Sequence, residues 1–194
     1  MREMLNMIVV LTALTAISGG LLSAVQSGTK LRIEEQVLNI VQAPVIREIF
    51  PETTNDPIAE RFPIETETLS LKIFPAKLAD GSNAIALETK GKGGYGGDVG
   101  LMVGINLDND EIITARVTTH AETPGFGARA KEDPEFVSQY NGKSMNDHMG
   151  LKRDGGSIDA MSGATVTSVA VTMAAKEAQK VYQQIKPEIL KQIQ

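Results

Sequence analysis

The sequence has 194 residues, and its 19 lysines and arginines against 24 aspartates and glutamates give a formal net charge of −5. This length is typical of one domain with extensions. The acidic balance argues against the broad basic face that duplex nucleic acid requires. There is no cysteine, which excludes disulfides, thiolate metal sites and an iron–sulfur cluster held by this chain. His120 and His148 lack the spacing of zinc ligands, so a zinc enzyme is not expected.

The first apolar segment, Met4–Val25, contains 22 residues without a charged side chain. A helix needs about 20 apolar residues to cross the hydrocarbon core of a bilayer, so this segment predicts an uncleaved transmembrane anchor. Gly19 and Gly20 are typical of membrane helices, in which small residues allow close contact between helices. A cleaved signal peptide is the alternative, although its apolar core is usually shorter.

Charges beside the anchor do not indicate its orientation. Arg2 precedes the apolar segment, while Lys30 and Arg32 follow it together with the opposing charges of Glu34 and Glu35. The positive-inside rule compares lysine and arginine on the two sides, and here it favours neither.

The rest of the sequence predicts an alternation of helices and strands. Leu31–Phe50 places apolar residues near helical spacing, and Pro44 is expected to kink or break that helix. Runs of apolar residues with period-two alternation predict four strands, over Leu69–Phe74, Ala84–Thr89, Val99–Leu107 and Ile112–Thr119. Asp80-Gly81 and Asp108–Asp110 are typical of hairpin turns.

A long helix is predicted over Ala164–Lys186, with its end near Pro187. Successive strands followed by this helix indicate an α+β fold with a mainly antiparallel sheet and flanking helices. We therefore expect an anchor over residues 1–28, a helical or irregular connecting segment over 29–68, and a domain over 69–194 that includes the C-terminal helix.

A glycine-rich segment, Gly91–Gly96, satisfies the G-x-G-x-x-G pattern of dinucleotide-binding loops. Those loops are followed by a helix whose N-terminus faces the pyrophosphate, whereas Val99–Val103 predicts a strand. A Rossmann site is therefore not expected. The segment indicates a glycine-rich bend before a strand, and the close approach of a ligand is the alternative.

The most informative segment is Asp154–Ser168, in which small residues lead into the predicted long helix. Ser162 is a plausible N-cap, and the open N–H groups of a first helical turn favour an anion. Thr165 and Thr167 add hydroxyl groups, and Lys152 or Arg153 would neutralise a bound phosphate. The alternative is a capped helix whose hydroxyl groups serve only the helix itself.

Several of these segments resemble the FMN-binding domain family. Ser162–Thr165, with Asp159 upstream, resembles the family's flavinylation motif. Gly93–Gly97 resembles its glycine-rich entry into the central sheet, and His120–Gly127 resembles its H-x-E-T-P-G-φ-G loop. Lys152–Gly156 resembles the basic and diglycine segment that precedes the motif.

The resemblance implies FMN joined through its phosphate to Thr165, by a separate flavin transferase that draws on FAD. Thr167 is the alternative attachment point that the residues themselves leave open. The residues that the resemblance assigns to the cofactor are Tyr95, Glu122, Thr123, Pro124, Gly125, Phe126, Gly127, Lys152, Arg153, Asp159, Ser162, Gly163, Ala164, Thr165 and Thr167.

Within that set, Glu122 and Thr123 are expected at the isoalloxazine edge, while Pro124-Gly125 fixes the turn between them and the ring. Phe126 is expected to pack on the ring face, although leucine is usual there in the family. Asp159 is expected to order its loop or to assist the transferase, either by binding metal or by activating the threonine.

The order and spacing of the segments, behind a membrane anchor, are similar to those of the G subunits of Rnf electron-transport complexes. The C subunits of sodium-translocating NADH:quinone reductases are related but usually carry a longer insert. The resemblance implies an electron-transfer subunit of an ion-translocating ferredoxin:NAD oxidoreductase, with other integral-membrane, flavin and iron–sulfur subunits as partners. It places the FMN domain on the extracytoplasmic side of a bacterial or archaeal cytoplasmic membrane.

Two other classes of function compete with this interpretation. One is a free-standing extracytoplasmic flavoprotein that relays electrons to a terminal reductase. The other is a non-redox binding or assembly module in which the helix start carries no flavin.

Overall fold

The computed structural model describes residues 1–65 and 70–193, which form two compact units, Met1–Ile40 and Val41–Gln194. Leu69, where a strand is predicted to begin, lies outside the described residues. The boundary expected between residues 68 and 69 lies there as well.

The first unit is dominated by helix α1, Arg2–Gln36, in which no residue is buried. At 1.5 Å per residue a helix of this length spans about 50 Å. By length and composition it belongs to the one helical segment in the described part of the chain that is long and apolar enough to cross a membrane. The predicted apolar helix over Met4–Val25 is therefore confirmed.

A π-helical turn over Val37–Gln42 leads into helix α2, Ala43–Ile49. Pro44 lies in the first turn of α2, where its missing N–H interrupts few hydrogen bonds. The chain changes from π-helix to α-helix just before Pro44 and stays helical through it, so the predicted break does not occur.

Five antiparallel strands form one sheet in the order of the sequence. They are β1 Phe62–Glu65, β2 Ser70–Lys77, β3 Asn83–Gly91, β4 Val99–Asn106 and β5 Glu111–Val117. The four predicted strands are confirmed within a few residues at their ends. Left-handed backbone at Gly81 and Asp110 forms the two predicted hairpin turns. Strand β1 is an addition that the sequence does not signal.

Helices cover both faces of this sheet. Helix α5, Thr165–Ile193, packs on β3 and β4 through its buried side chains, while α2 packs against β4 and β5. Short helices α3, Arg129–Glu132, and α4, Pro134–Ser138, follow β5. Because both faces are covered, β4 is buried along nearly its whole length.

The predicted end of the last helix near Pro187 is wrong, since α5 continues to Ile193. Pro187 is exposed, so its ring faces solvent, and water can bond the carbonyl group that loses its partner. Ile185 and Ile189 on either side are buried in the core. Their burial stabilises the continued helix by more than the proline costs.

Two close contacts fix the first half of α5 against β3. A Cβ atom on Gly91 would overlap the carbonyl oxygen of Ala170, so only glycine lets the helix approach this closely. Two residues earlier, the Thr89 hydroxyl donates to the carbonyl oxygen of Ala174 at 2.8 Å. The start of α5 is therefore held at a set position beside the loop that follows β3.

Candidate functional site

Three segments that are distant in sequence surround one cavity of about 480 Å³. They are the glycine-rich loop between β3 and β4, the loop that follows β5, and the start of α5. The lining residues are Tyr95, Glu122, Thr123, Phe126, Gly127, Gly163, Ala164, Thr165, Val166 and Thr167. All but Val166 belong to the set predicted from the sequence, and the volume is that of an ordinary small-molecule site.

A tight turn presents the start of α5 to this cavity. The Ala164 N–H donates to the carbonyl oxygen of Met161 at 3.1 Å, and Gly163 takes the left-handed backbone that the turn requires. The Ala164 carbonyl then accepts the Ser168 N–H at 3.0 Å, so Ala164 precedes the first helical residue. Ser162 as N-cap is therefore wrong, because the glycine turn separates it from the helix.

The buried residue that organises this turn is Ser168, which is 0% exposed. Its hydroxyl group donates to the Ala164 carbonyl and accepts the Met161 N–H, both at 2.9 Å. The hydroxyl therefore joins the two ends of the turn from inside the protein. Sequence reasoning missed this role, since nothing in the spacing of Ser168 distinguishes it from other polar residues on the helix.

The two threonines at the helix start differ in environment. Thr165 is half-buried at the cavity surface, whereas Thr167 is only 2% exposed. The Thr167 hydroxyl donates a hydrogen bond to the Glu122 carboxylate. Thr165 is therefore the more accessible of the two hydroxyl groups.

Glu122 connects all three segments around the cavity and is 5% exposed. Besides the Thr167 hydroxyl, its carboxylate accepts the Gly96 N–H at 2.8 Å. Burial acts to raise the pKa of Glu122, but these hydrogen bonds and His120 outweigh it and hold the pKa below its ordinary value. Glu122 is therefore an ionised carboxylate with donors around it.

The loop that bears Glu122 turns sharply over Thr123–Phe126. The Phe126 N–H donates to the Thr123 carbonyl oxygen at 3.2 Å, with Gly125 in the left-handed region. Beyond the turn, a Cβ atom on Gly127 would overlap both the Thr167 hydroxyl oxygen and the Glu122 carboxylate. Glycine at this position is thus required for the two side chains to meet.

Two aromatic rings flank the cavity and are largely exposed. Tyr95 is 80% exposed and Phe126 is 59% exposed, although both line the cavity. Val166 adds a third exposed apolar side chain beside them. This arrangement offers apolar surface to a flat ring that enters from solvent.

The backbone at the same place favours an anion. In any α-helix the first N–H groups have no acceptor within the helix, which here applies to Thr165, Val166 and Thr167. The helix dipole adds partial positive charge at this end. The cavity therefore combines apolar walls with a helix N-terminus, whose open N–H groups favour the binding of a phosphate.

The remaining predicted residues are not among those that line the cavity. Lys152 Nζ forms an exposed ion pair with Asp159 Oδ2 at 2.6 Å, and Arg153 Nε lies 3.3 Å from Asp154 Oδ2. The Gln139 side chain accepts the Asp159 N–H at 2.7 Å and donates to its carbonyl oxygen at 3.2 Å. Ser162, Pro124 and Gly125 contribute to turns beside the cavity.

Residues 94–180 match a family model described as the FMN-binding domain. The G subunit of the ion-translocating oxidoreductase complex of Erwinia tasmaniensis is 32% identical over 180 residues, which cover 87% of this chain and 84% of that protein. The corresponding protein of Escherichia coli K12 is 32% identical over 195 residues, covering 95% and 93%. The crystal structure of NqrC from Shewanella oneidensis superposes with a TM-score of 0.50 and 26% identity, over 70% of this chain and 69% of that one. The matched family segment includes every residue that lines the cavity.

Proposed function

The chain belongs to the family of G subunits of ion-translocating oxidoreductase complexes, and on that premise we propose that it carries FMN covalently on Thr165. It is an FMN-binding subunit of such a complex, as its family and its FMN-binding domain imply. The proposed role is electron transfer within an Rnf-type ferredoxin:NAD oxidoreductase.

The observation that carries the proposal is the position of Thr165. Its side chain lies at the cavity surface, directly after the turn that ends in Ala164. The first-turn N–H groups beside it would donate hydrogen bonds to the oxygen atoms of a phosphate. Thr167, the other hydroxyl group in this turn, is buried and already donates to Glu122.

The proposed attachment is a phosphoryl transfer catalysed by a separate flavin transferase, with FAD as the donor. The Thr165 Oγ atom attacks the phosphorus on the riboflavin side of the FAD pyrophosphate. One Oγ–P bond forms, the pyrophosphate P–O bond breaks, and AMP leaves. The threonine proton passes to a base on the transferase, and no electrons are exchanged.

Once bound, the flavin supplies the one- and two-electron chemistry, and the protein supplies binding, orientation and electrostatics. Tyr95 and Phe126 would contact the ring, with Thr123 at its edge. Pro124-Gly125 holds the turn that places them. A tether of this kind suits a carrier outside the cytoplasm, because a dissociated flavin would not be replaced there.

The charged residues near the flavinylation motif receive supporting roles in this proposal. Lys152 and Arg153 would neutralise the phosphate once their exposed side chains, on the short turn before Gly155, leave their ion pairs with Asp159 and Asp154. Asp159, which Gln139 holds by its backbone, would order the loop before Ser162 or assist the transferase.

The anchor helix determines where this chemistry would occur. Helix α1 suggests a membrane anchor, since it is apolar and its residues are exposed. We place it as a single pass in a bacterial or archaeal cytoplasmic membrane, against the integral-membrane subunits of the complex. The FMN domain would lie on the extracytoplasmic side, and the other flavin and iron–sulfur subunits of the complex would be its partners in electron transfer.

The test is co-expression of the full chain with a flavin transferase, followed by its intact mass and visible spectrum. We expect a yellow protein whose added mass lies in the tryptic peptide Asp154–Lys176, and fragmentation should assign it to Thr165. Thr165→Val should be colourless, with a far-UV spectrum like that of the unsubstituted chain.

A colourless unsubstituted chain beside a transferase control that works would contradict covalent attachment and favour the plain helix start. A modified Thr167 would move the attachment point and keep the function. Purification of the yellow protein with other membrane subunits would support the complex over a free-standing carrier.

A further inference from the structure

Two nucleophilic hydroxyl groups lie in the same helical turn, and both line the same cavity. Thr165 and Thr167 have identical chemistry, and both lie where α-helix geometry leaves N–H groups open. A transferase that delivers a phosphoryl group to this turn would therefore face two acceptors. Something in this chain must decide between them.

We infer that Glu122 is a specificity-determining positioning residue, which holds the Thr167 hydroxyl and leaves Thr165 as the sole acceptor. The inference rests on the proposed covalent attachment of FMN. It assigns to Glu122 a task different from contact with the isoalloxazine edge. Its carboxylate acts through Thr167 and through the loops that it joins.

The contacts of Glu122 explain why its hold on Thr167 is firm. One carboxylate oxygen accepts the Gly96 N–H at 2.8 Å while the other accepts the Thr167 hydroxyl, so the carboxylate is fixed from two sides. Rotation of Glu122 away from Thr167 would leave the buried Thr167 hydroxyl and the part-buried Gly96 N–H without this acceptor, which is costly.

Glycine at position 127 makes this contact possible. Any side chain there would overlap both Thr167 Oγ1 and the Glu122 carboxylate. The pair is also nearly inaccessible, with Thr167 at 2% and Glu122 at 5% exposure. The Thr167 oxygen is therefore directed into the protein and away from an incoming phosphorus atom.

The carboxylate would not activate Thr167 as a nucleophile in this arrangement. Its hydrogen bonds hold the pKa of Glu122 below the ordinary value, although burial opposes them, which makes it a weak base. A buried hydroxyl group also cannot reach the in-line position that phosphoryl transfer requires. Hydrogen bonding to Glu122 thus prevents the Thr167 hydroxyl from acting as the phosphoryl acceptor.

The test uses the full chain, co-expressed with the transferase, and asks whether Thr167 gains a modification. Thr165→Val alone should carry no FMN, even though Thr167 lies two residues away. Thr165→Val combined with Glu122→Ala should carry FMN on Thr167, as shown by fragmentation of the Asp154–Lys176 peptide. Thr165→Val combined with Glu122→Gln is the matched control and should stay unmodified, because the amide still hydrogen-bonds the Thr167 hydroxyl: its oxygen accepts from Thr167, or its NH2 group donates to Thr167 when the oxygen accepts the Gly96 N–H.

A second variant keeps the test decisive if Glu122→Ala does not fold. Gly127→Ala inserts a methyl group between Thr167 and Glu122 and should release Thr167 without removing the carboxylate. Combined with Thr165→Val, it should also gain FMN on Thr167. Far-UV circular dichroism and a cooperative thermal transition establish that each variant is folded.

Two results would overturn the inference. Modification of Thr167 in the Thr165→Val single variant would show that Glu122 does not withhold it. If the Thr165→Val/Glu122→Ala and Thr165→Val/Gly127→Ala variants fold but stay unmodified, something other than Glu122 makes the choice. Failure of the unsubstituted chain to acquire FMN contradicts the proposed function itself and is distinguished by that control.

Discussion

The turn before helix α5 depends on one buried hydroxyl group, and Ser168→Ala removes it. The Ala164 carbonyl still accepts the Ser168 N–H, so the group that loses its partner is the Met161 N–H. A buried donor without an acceptor costs about 1–3 kcal/mol. For a domain of this size each kcal/mol lowers the melting temperature by about 2–4 °C. We also expect less FMN on Thr165, because the turn that presents it loosens.

Thr172→Val provides a matched control on the same helix. The Thr172 hydroxyl lies 2.9 Å from the buried Tyr140 hydroxyl and donates to the Ser168 carbonyl oxygen at 2.8 Å. The nearly isosteric change leaves the Tyr140 hydroxyl unpaired, at a cost of the same order, about 1–3 kcal/mol. It does not alter the turn that ends in Ala164, so flavin attachment should be unaffected.

The assay measures stability and flavin incorporation for each variant in detergent. Thermal unfolding gives the change in stability, and intact mass after a fixed time of co-expression gives the fraction that carries FMN. Equal loss of FMN in Ser168→Ala and Thr172→Val would show that incorporation follows stability rather than the geometry of the turn. An unchanged melting temperature for Ser168→Ala would refute the reasoning about the Met161 N–H.

Other contacts give further predictions. Asp110 accepts two hydrogen bonds from Lys186, at 2.6 and 2.7 Å, and one from the Tyr182 hydroxyl. Burial raises the pKa of Asp110, but these partners hold it below its ordinary value of 3.8. Its stabilising effect is therefore complete above the unfolded-state pKa and is lost as pH falls through the folded-state pKa. Asp110→Asn, which tolerates the left-handed backbone, should lower the free energy of unfolding by about 1–2 kcal/mol near pH 7, and urea titrations should show this difference vanish in acid. Gly91→Ala should destabilise the domain by more than about 3 kcal/mol or prevent folding, because its Cβ would overlap the Ala170 carbonyl; a thermal transition within a degree of the unsubstituted chain would contradict this.

The parts of the fold that the sequence predicts are those set by local pattern. Strands β2 to β5 follow from apolar alternation, and their hairpins follow from Gly81 and Asp110, which supply the left-handed backbone. Strand β1 has four residues, including Pro63, and pairs along one side only. Proline at a sheet edge weakens the sequence signal of a strand, so β1 is recognised only from its pairing with β2 in the structure.

The wrong helix end at Pro187 and the missed pair in the site share a different physical cause, which is contact between residues far apart in the chain. Whether Pro187 ends the helix depends on the burial of Ile185 and Ile189. Local helix propensity gives no information about this burial. Within the site, the motif identifies the segments, but the bond between Glu122 and Thr167 spans 45 residues. Spacing within a motif gives no information about such a pair.

The sequential order of the strands has a consequence for biosynthesis. Each strand from β2 onward pairs with the strand made just before it, so the sheet can assemble while the chain is still being extended. Helix α5 supplies one wall of the cavity and packs over β3 and β4, and it is synthesised after all of the strands. Until Thr165–Ile193 is synthesised and packed, an apolar sheet face stays open to unwanted association. The proposed attachment of flavin would thus act on a completed domain, and yellow colour would report that this last folding step has succeeded.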